Sequence, residues 1–226
     1  MKISLKNSLL TVFVAFCLFE TIFADISITL TPRQKYDLLL IHNKAFNPVK
    51  TFMNKEDYEN VVKYMRLANG KLFPLPIILD VEEKTASKLS SENSSIILRG
   101  SDGTILAKLK VEEVWQPDKV LEAQAVYGTM SQDHPGVNYL FNKTQSHYVS
   151  GQITPVNLKN HEFLRDTKTP EELRKHFAEK GIVRVIAFQT RNPMHAAHVE
   201  ITKRASKLAA AHLLIHPVVG ETQPGD

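Results

Sequence analysis

Residues 183–219 constrain the chain more than any other stretch. Val183-Arg184-Val185-Ile186-Ala187-Phe188 is apolar at every position but Arg184, the composition of a short buried strand. A polar loop follows at once, Gln189-Thr190-Arg191-Asn192. Pro193 then stands where its fixed φ suits the first turn of a helix. His195 and His198 lie three apart and so share one face of that turn. The helical pattern runs on to about Ala210, rich in Ala, Lys and Leu. A second apolar segment follows, Leu213-Leu214-Ile215 with Val218-Val219 beyond it. Strand, polar loop, helix, strand is the βαβ pattern of a parallel sheet.

The chemistry of such a loop is anion handling. A loop at the carboxyl end of a strand, entering a helix N-terminus, offers unpaired N–H groups and a positive dipole end to a phosphate. Arg191 adds a planar fork suited to a tetrahedral oxyanion. Gln189, Thr190 and Asn192 add neutral donors, and His195 and His198 supply ring nitrogens for phosphate oxygens as charge builds. No residue here has the setting of an activated nucleophile, which favours direct transfer between bound substrates. Zinc fits poorly: two His give half a ligand set, and Glu200 and the single Cys17 are badly placed.

Two segments resemble a known family. Gln189 to His198 resembles the Q-T-R-N-P-x-H-x-x-H signature of ATP sulfurylases, and His216-Pro217-Val218-Val219-Gly220 with Thr222, Pro224, Gly225 and Asp226 resembles a second segment of the same family. The resemblance is continuous from about residue 26. It implies a PUA-like β-barrel domain followed by an incomplete Rossmann-like nucleotidyltransferase domain, α+β then α/β. The implied reaction joins ATP and sulfate to give adenosine 5′-phosphosulfate and pyrophosphate. By this resemblance Gln189 and Arg191 contact sulfate, Thr190 and Asn192 hold the transferring phosphate, and His195 and His198 steady the phosphates; all six lie in the ATP-binding loop. ATP enters as substrate with Mg²⁺, and no protein-bound metal is expected. Departures are Ala196 where Arg is frequent, Gln223 where the family has Lys, and Ala45, Asn47 and Val49-Lys50-Thr51 in a turn where the family carries glycines.

The rest of the chain divides accordingly. Residues 1–24 carry two lysines, no acid before Glu20, an apolar run from Leu9 to Phe19 and Ala24, the layout of a secretory signal peptide. The expected chemistry needs ATP and points to the cytoplasm instead, and the two lines conflict. Contact with a membrane is expected only through this leader, if it stays uncleaved. A PUA-like domain is expected over 25–162 and the start of the catalytic domain over 163–226. In the first domain, Thr31 and Asn54 read as N-caps. Leu72 to Asp80, with its prolines, reads as an edge or bulged strand. Ser95–Leu98 and Ile105–Val111 read as strands joined by the turn Ser101-Asp102-Gly103-Thr104. Val120–Tyr127 reads as a short helix, Asp133–Val137 as a loop, and Tyr148–Ile153 as a closing strand. Asn157 to Asp166 reads as a linker, and Thr169-Pro170-Glu171-Glu172 as a strong helix start.

A net charge of +4 with scattered lysines gives no basic patch of the kind nucleic acid requires. A homo-oligomer stays open. Two strands and one helix do not complete a doubly wound domain, so the second domain is expected to be truncated. That leaves a second reading, a non-catalytic remnant or anion-binding module. A third is adenylyl transfer to an acceptor other than sulfate.

Overall fold

The structure, a computed structural model, describes residues 26–89, 94–158 and 168–217. The leader at 1–24, most of the linker and the segment from Val218 onward lie outside the described residues.

The first unit is a curled five-stranded sheet with helices against it. In chain order it runs β1 (Ile26–Thr29), α1 (Pro32–His42), α2 (Lys55–Tyr64), β2 (Leu79–Val81), α3 (Glu83–Ala86), β3 (Ser95–Arg99), β4 (Ile105–Trp115), α4 (Lys119–Tyr127), α5 (Pro135–Asn142) and β5 (His147–Pro155). The strand order is β1-β3-β4-β5-β2, so β1 and β2 form the edges. β1 pairs with β3 in parallel, and every other pairing in this sheet is antiparallel. The register slips near Leu98 and again between Val111 and Glu113; such irregularities raise the local twist and bend a sheet.

Local sequence sets these elements. The Thr31 side chain accepts from the Gln34 N–H while Gln34 Oε1 accepts from the Thr31 N–H, and Pro32 occupies the first turn: a complete capping box. Asn54 caps α2 through the Asp57 N–H at 2.8 Å. Alternation decides the strands, since β3 buries Ile96 and Leu98 while the residues between them are half-buried. Leu38, Phe52, Leu79, Ile96, Leu98, Leu109 and Val149 are fully buried in one core, each stabilising the fold by about 1.5–3 kcal/mol relative to exposure.

Two expectations are corrected here. Asp133–Val137 is not a loop throughout: α5 starts at Pro135, and His134 is its N-cap, with Nδ1 accepting from the Gly136 N–H at 3.2 Å. Pro135-Gly136 reads as a turn, but the same proline is equally suited to a first helical position. The strand expected over Leu72–Asp80 shrinks to Leu79–Val81, with Leu72 in a single isolated bridge to Arg66. Pro74 and Pro76 have no N–H to give a ladder, and β2 is indeed an edge strand.

The core also holds a polar cluster. Glu122, 4% exposed, accepts from the Tyr58 hydroxyl at 2.8 Å and the Tyr148 hydroxyl at 3.0 Å on the same oxygen. Burial pushes the Glu122 carboxyl upward, and the two phenol bonds pull the other way. Burial raises both phenols as well. The rings of Tyr58, Tyr148 and Trp115 pack mutually at 5.4–6.0 Å.

The second unit is α6 (Pro170–Glu179), β6 (Val185–Thr190), α7 (Ala196–Ala209) and β7 (His212–Pro217). Thr169 caps α6 in a capping box with Glu172. β6 and β7 pair in parallel from Val185↔His212 to Thr190↔Pro217, with α7 as the crossover, the expected βαβ unit.

Candidate active site

β6 begins two residues later than the apolar run suggests and takes in Gln189 and Thr190. The two residues read as loop therefore end the strand. Ile186, Phe188 and Thr190 are half-buried, whereas Val185, Ala187 and Gln189 are exposed. Phe188 meets His198 of α7, so the half-buried side is the face that α7 covers. Gln189 thus projects from the other face, beside His216 of β7, its partner in register.

The loop is organised internally. Thr190 Oγ1 accepts from the Asn192 N–H at 3.1 Å and donates to the Asn192 carbonyl at 2.9 Å. This is a local side-chain turn of the kind threonine forms; it commits the Thr190 hydroxyl proton to the loop. Arg191 and Asn192 are exposed.

The helix does not start at Pro193. His195 is the N-cap and Ala196 the first helical residue. Pro193 and Met194 lie in the approach to it, after the turn that Thr190 Oγ1 closes with Asn192. The N-cap His195 makes no side-chain cap hydrogen bond, so among the described residues the first-turn N–H groups of α7 have no side-chain acceptor, as at any uncapped start. The rings of His195 and His198 stack with centroids 3.9 Å apart and planes at 29°. Phe188 lies against His198 at 5.5 Å. The His198 Nδ1 atom is buried without a hydrogen-bond partner. One turn on, the buried Thr202 hydroxyl sits 2.9 Å from the His198 carbonyl oxygen and 3.0 Å from that of Val199, tying down the turn that carries His198.

Thr190, Arg191, Asn192, His195 and His198 thus lie along the segment from the carboxyl end of β6 to the start of α7, while Gln189 projects from the face of β6 away from α7. Carboxyl ends of parallel strands are where ligands bind in open α/β sheets. Two further residues belong to this region. Phe188 is visible in sequence only as an apolar strand residue. His216 ends β7 beside Gln189; the His-Pro step after an apolar run was the signal for it. Glu200 of α7 is bonded to Arg204 at 2.6 Å. Among the described residues no group of three or more His, Cys, Asp or Glu is placed to hold a metal ion. His134 serves as a helix cap, and His147 Nδ1 lies 2.9 Å from the Ser146 hydroxyl.

Comparison with known proteins agrees with the loop. A family profile described as PUA-like domain matches residues 20–158, and one described as ATP-sulfurylase matches 165–226. The chain belongs to the ATP sulfurylase family. A sulfate adenylyltransferase of Neurospora crassa is 48% identical over 203 residues, 88% of this chain and 35% of that protein. One from Schizosaccharomyces pombe is 45% identical over 201 residues, 88% of this chain and 41% of its own. A solved hexameric APS kinase from Thiobacillus denitrificans superposes with a TM-score of 0.67 at 25% identity, over 89% of this chain and 36% of that one. The chain therefore spans 35% and 41% of the length of these two sulfate adenylyltransferase relatives.

Proposed function

We propose that the β6–α7 region of this chain is the anion-binding half of a sulfate adenylyltransferase site, acting on ATP and sulfate. The observation that carries this reading is the uncapped N-terminus of α7, set behind Arg191 and the stacked His195–His198 rings. That combination is suited to a polyphosphate and a second tetrahedral anion held side by side.

In this reading a sulfate oxygen attacks the α-phosphorus of ATP. The bond from that phosphorus to the bridging oxygen breaks, and pyrophosphate leaves with its electron pair. Sulfate is a weak nucleophile, so the rate depends on alignment and on neutralising two anions brought into contact. Gln189 and Arg191 hold sulfate. Asn192 and the loop shaped by Thr190 hold the transferring phosphate. His195 and His198 donate to phosphate oxygens. Mg²⁺ would arrive on the nucleotide, bound to its phosphates.

The test is pyrophosphate release by the 226-residue chain on addition of ATP and sulfate. Turnover that depends on both substrates is expected, and Arg191→Ala removes the dependence on sulfate. Release no faster than without protein overturns the reading in favour of a non-catalytic module. Turnover equal with other oxyanions points to a different acceptor.

A further inference from the structure

The His198 ring combines three features. Its Nδ1 atom is buried and makes no hydrogen bond. Its other nitrogen, Nε2, is not buried in this way. The ring packs against two others, with His195 stacked at 3.9 Å and Phe188 tilted against it at 5.5 Å.

A neutral imidazole carries its proton on one nitrogen, and the partner of each nitrogen decides which. A buried N–H with no acceptor forfeits its water hydrogen bond and gains nothing in exchange. Orphaned buried donors are rarer in proteins than orphaned acceptors. The lone pair is therefore the cheaper group to leave at the buried position, and the proton goes to Nε2. We infer that His198 is fixed as the Nε2–H tautomer, presenting one ring donor to the ligand, and that Phe188 is the positioning residue that keeps it so.

Phe188 sits on the half-buried face of β6, under the ring rather than at the open end of the loop. It acts through His198. Thr202 fixes the backbone of the same turn, leaving ring rotation as the remaining freedom. A flip of the ring would put Cδ2 where Nδ1 is buried and carry Nδ1 out of that position, and it has to take place against the aromatic contacts with Phe188 and His195. The identity of the ligand, a phosphate oxygen of ATP, rests on the proposed function; the tautomer does not.

The decisive measurement is long-range ¹H–¹⁵N correlation on the uniformly labelled 226-residue chain at about pH 9, where imidazoles are neutral. The expected pattern for His198 is a bare Nδ1 and a protonated Nε2. The reverse pattern, or an even mixture, overturns the inference. Phe188→Leu keeps an apolar side chain but removes the ring, and is expected to give a mixture of tautomers; Phe188→Tyr restores the single form. An unchanged tautomer in Phe188→Leu removes Phe188 from the role.

ATP binding by calorimetry supplies an independent reading. Gln places its amide N–H near the position of Nε2, and Asn places it near Nδ1. His198→Gln should lose no more than about tenfold in affinity, and His198→Asn about a hundredfold, a step of roughly 1.4 kcal/mol between them. Equal losses overturn the assignment of the donor. A chain with the expected tautomer that binds no ATP supports the inference and overturns the proposed function instead.

Discussion

Asp37 faces Arg33 one turn away at 4.0 Å, yet its carboxyl is pushed up from 3.8 to about 6 because burial outweighs the guanidinium. A carboxyl raised on folding makes the folded state the better proton binder. Its favourable contribution is complete below the unfolded value of 3.8 and is lost as pH rises to about 6. Asp37→Asn should therefore stabilise the chain at pH 7 by about 1–3 kcal/mol and flatten the fall in stability between those two values. Denaturant melts of both forms from pH 3.5 to 7.5 check it, and an unchanged slope contradicts it. Single residues were unequally legible. The caps Thr31, Asn54 and Thr169 act on neighbours within a few positions, so their types and spacings suffice. The burial of Glu122 is set by Tyr58 and Tyr148 from distant parts of the chain. Nothing in Lys119-Val120-Leu121-Glu122-Ala123 marks that acid as internal. In the same way, the loop residues of the site could be read as a cluster of donors. Their sharing of labour could not: the Thr190 hydroxyl turns inward to Asn192, and Phe188 supports a histidine ten residues on.

Among the elements, the β4–β5 pairing is the most demanding. Gly151 lies opposite Val111 just before the register slip, and a Cβ there would come within 1.9 Å of the Lys110 carbonyl oxygen. The Gly151 carbonyl also accepts from the Thr51 hydroxyl, tying this strand to the loop before α2. Gly151→Ala should cost about 2–4 kcal/mol, since the atom it meets is backbone and cannot swing aside. A thermal melt within 2 °C of the parent would be the contrary result; about 1 kcal/mol is worth several degrees in a chain of this size. Element types came through the sequence better than their edges. Periodicity gave β3, β4, β5, α4 and the β6–α7–β7 order. The starts of α5 and α7 moved because proline suits both a turn and a first helical position, and the N–H groups of Gly136 and Asn192, donating to His134 and Thr190, accompany different outcomes at the two sites.

Across the whole molecule, burial is unevenly shared. Among the described residues, the buried apolar side chains all lie between Leu30 and Val149, and Thr202 is the buried residue of the second unit. Val183, Ile201 and Leu208 of that unit are 92%, 60% and 89% exposed. Residues 26–158 expressed alone should therefore unfold cooperatively, with a midpoint within a few degrees of the full chain. Limited proteolysis of the 226-residue chain should cut within 168–217 first. Early cleavage inside β3 to β5 would count against this division. The two-unit order was legible because the hydrophobic period changes from alternation to a βαβ pattern. The imbalance between the units was not, since composition is ordinary in both and exposure depends on what packs where. The aromatic cluster beside Glu122 turns that imbalance into something readable by eye of a spectrometer. Trp115 is the only tryptophan in the chain, 8% exposed and in contact with two tyrosines. Its emission is a built-in optical probe of the first unit and is silent on the anion-binding loop, so fluorescence and circular dichroism traces recorded together would separate the melting of one from the fraying of the other.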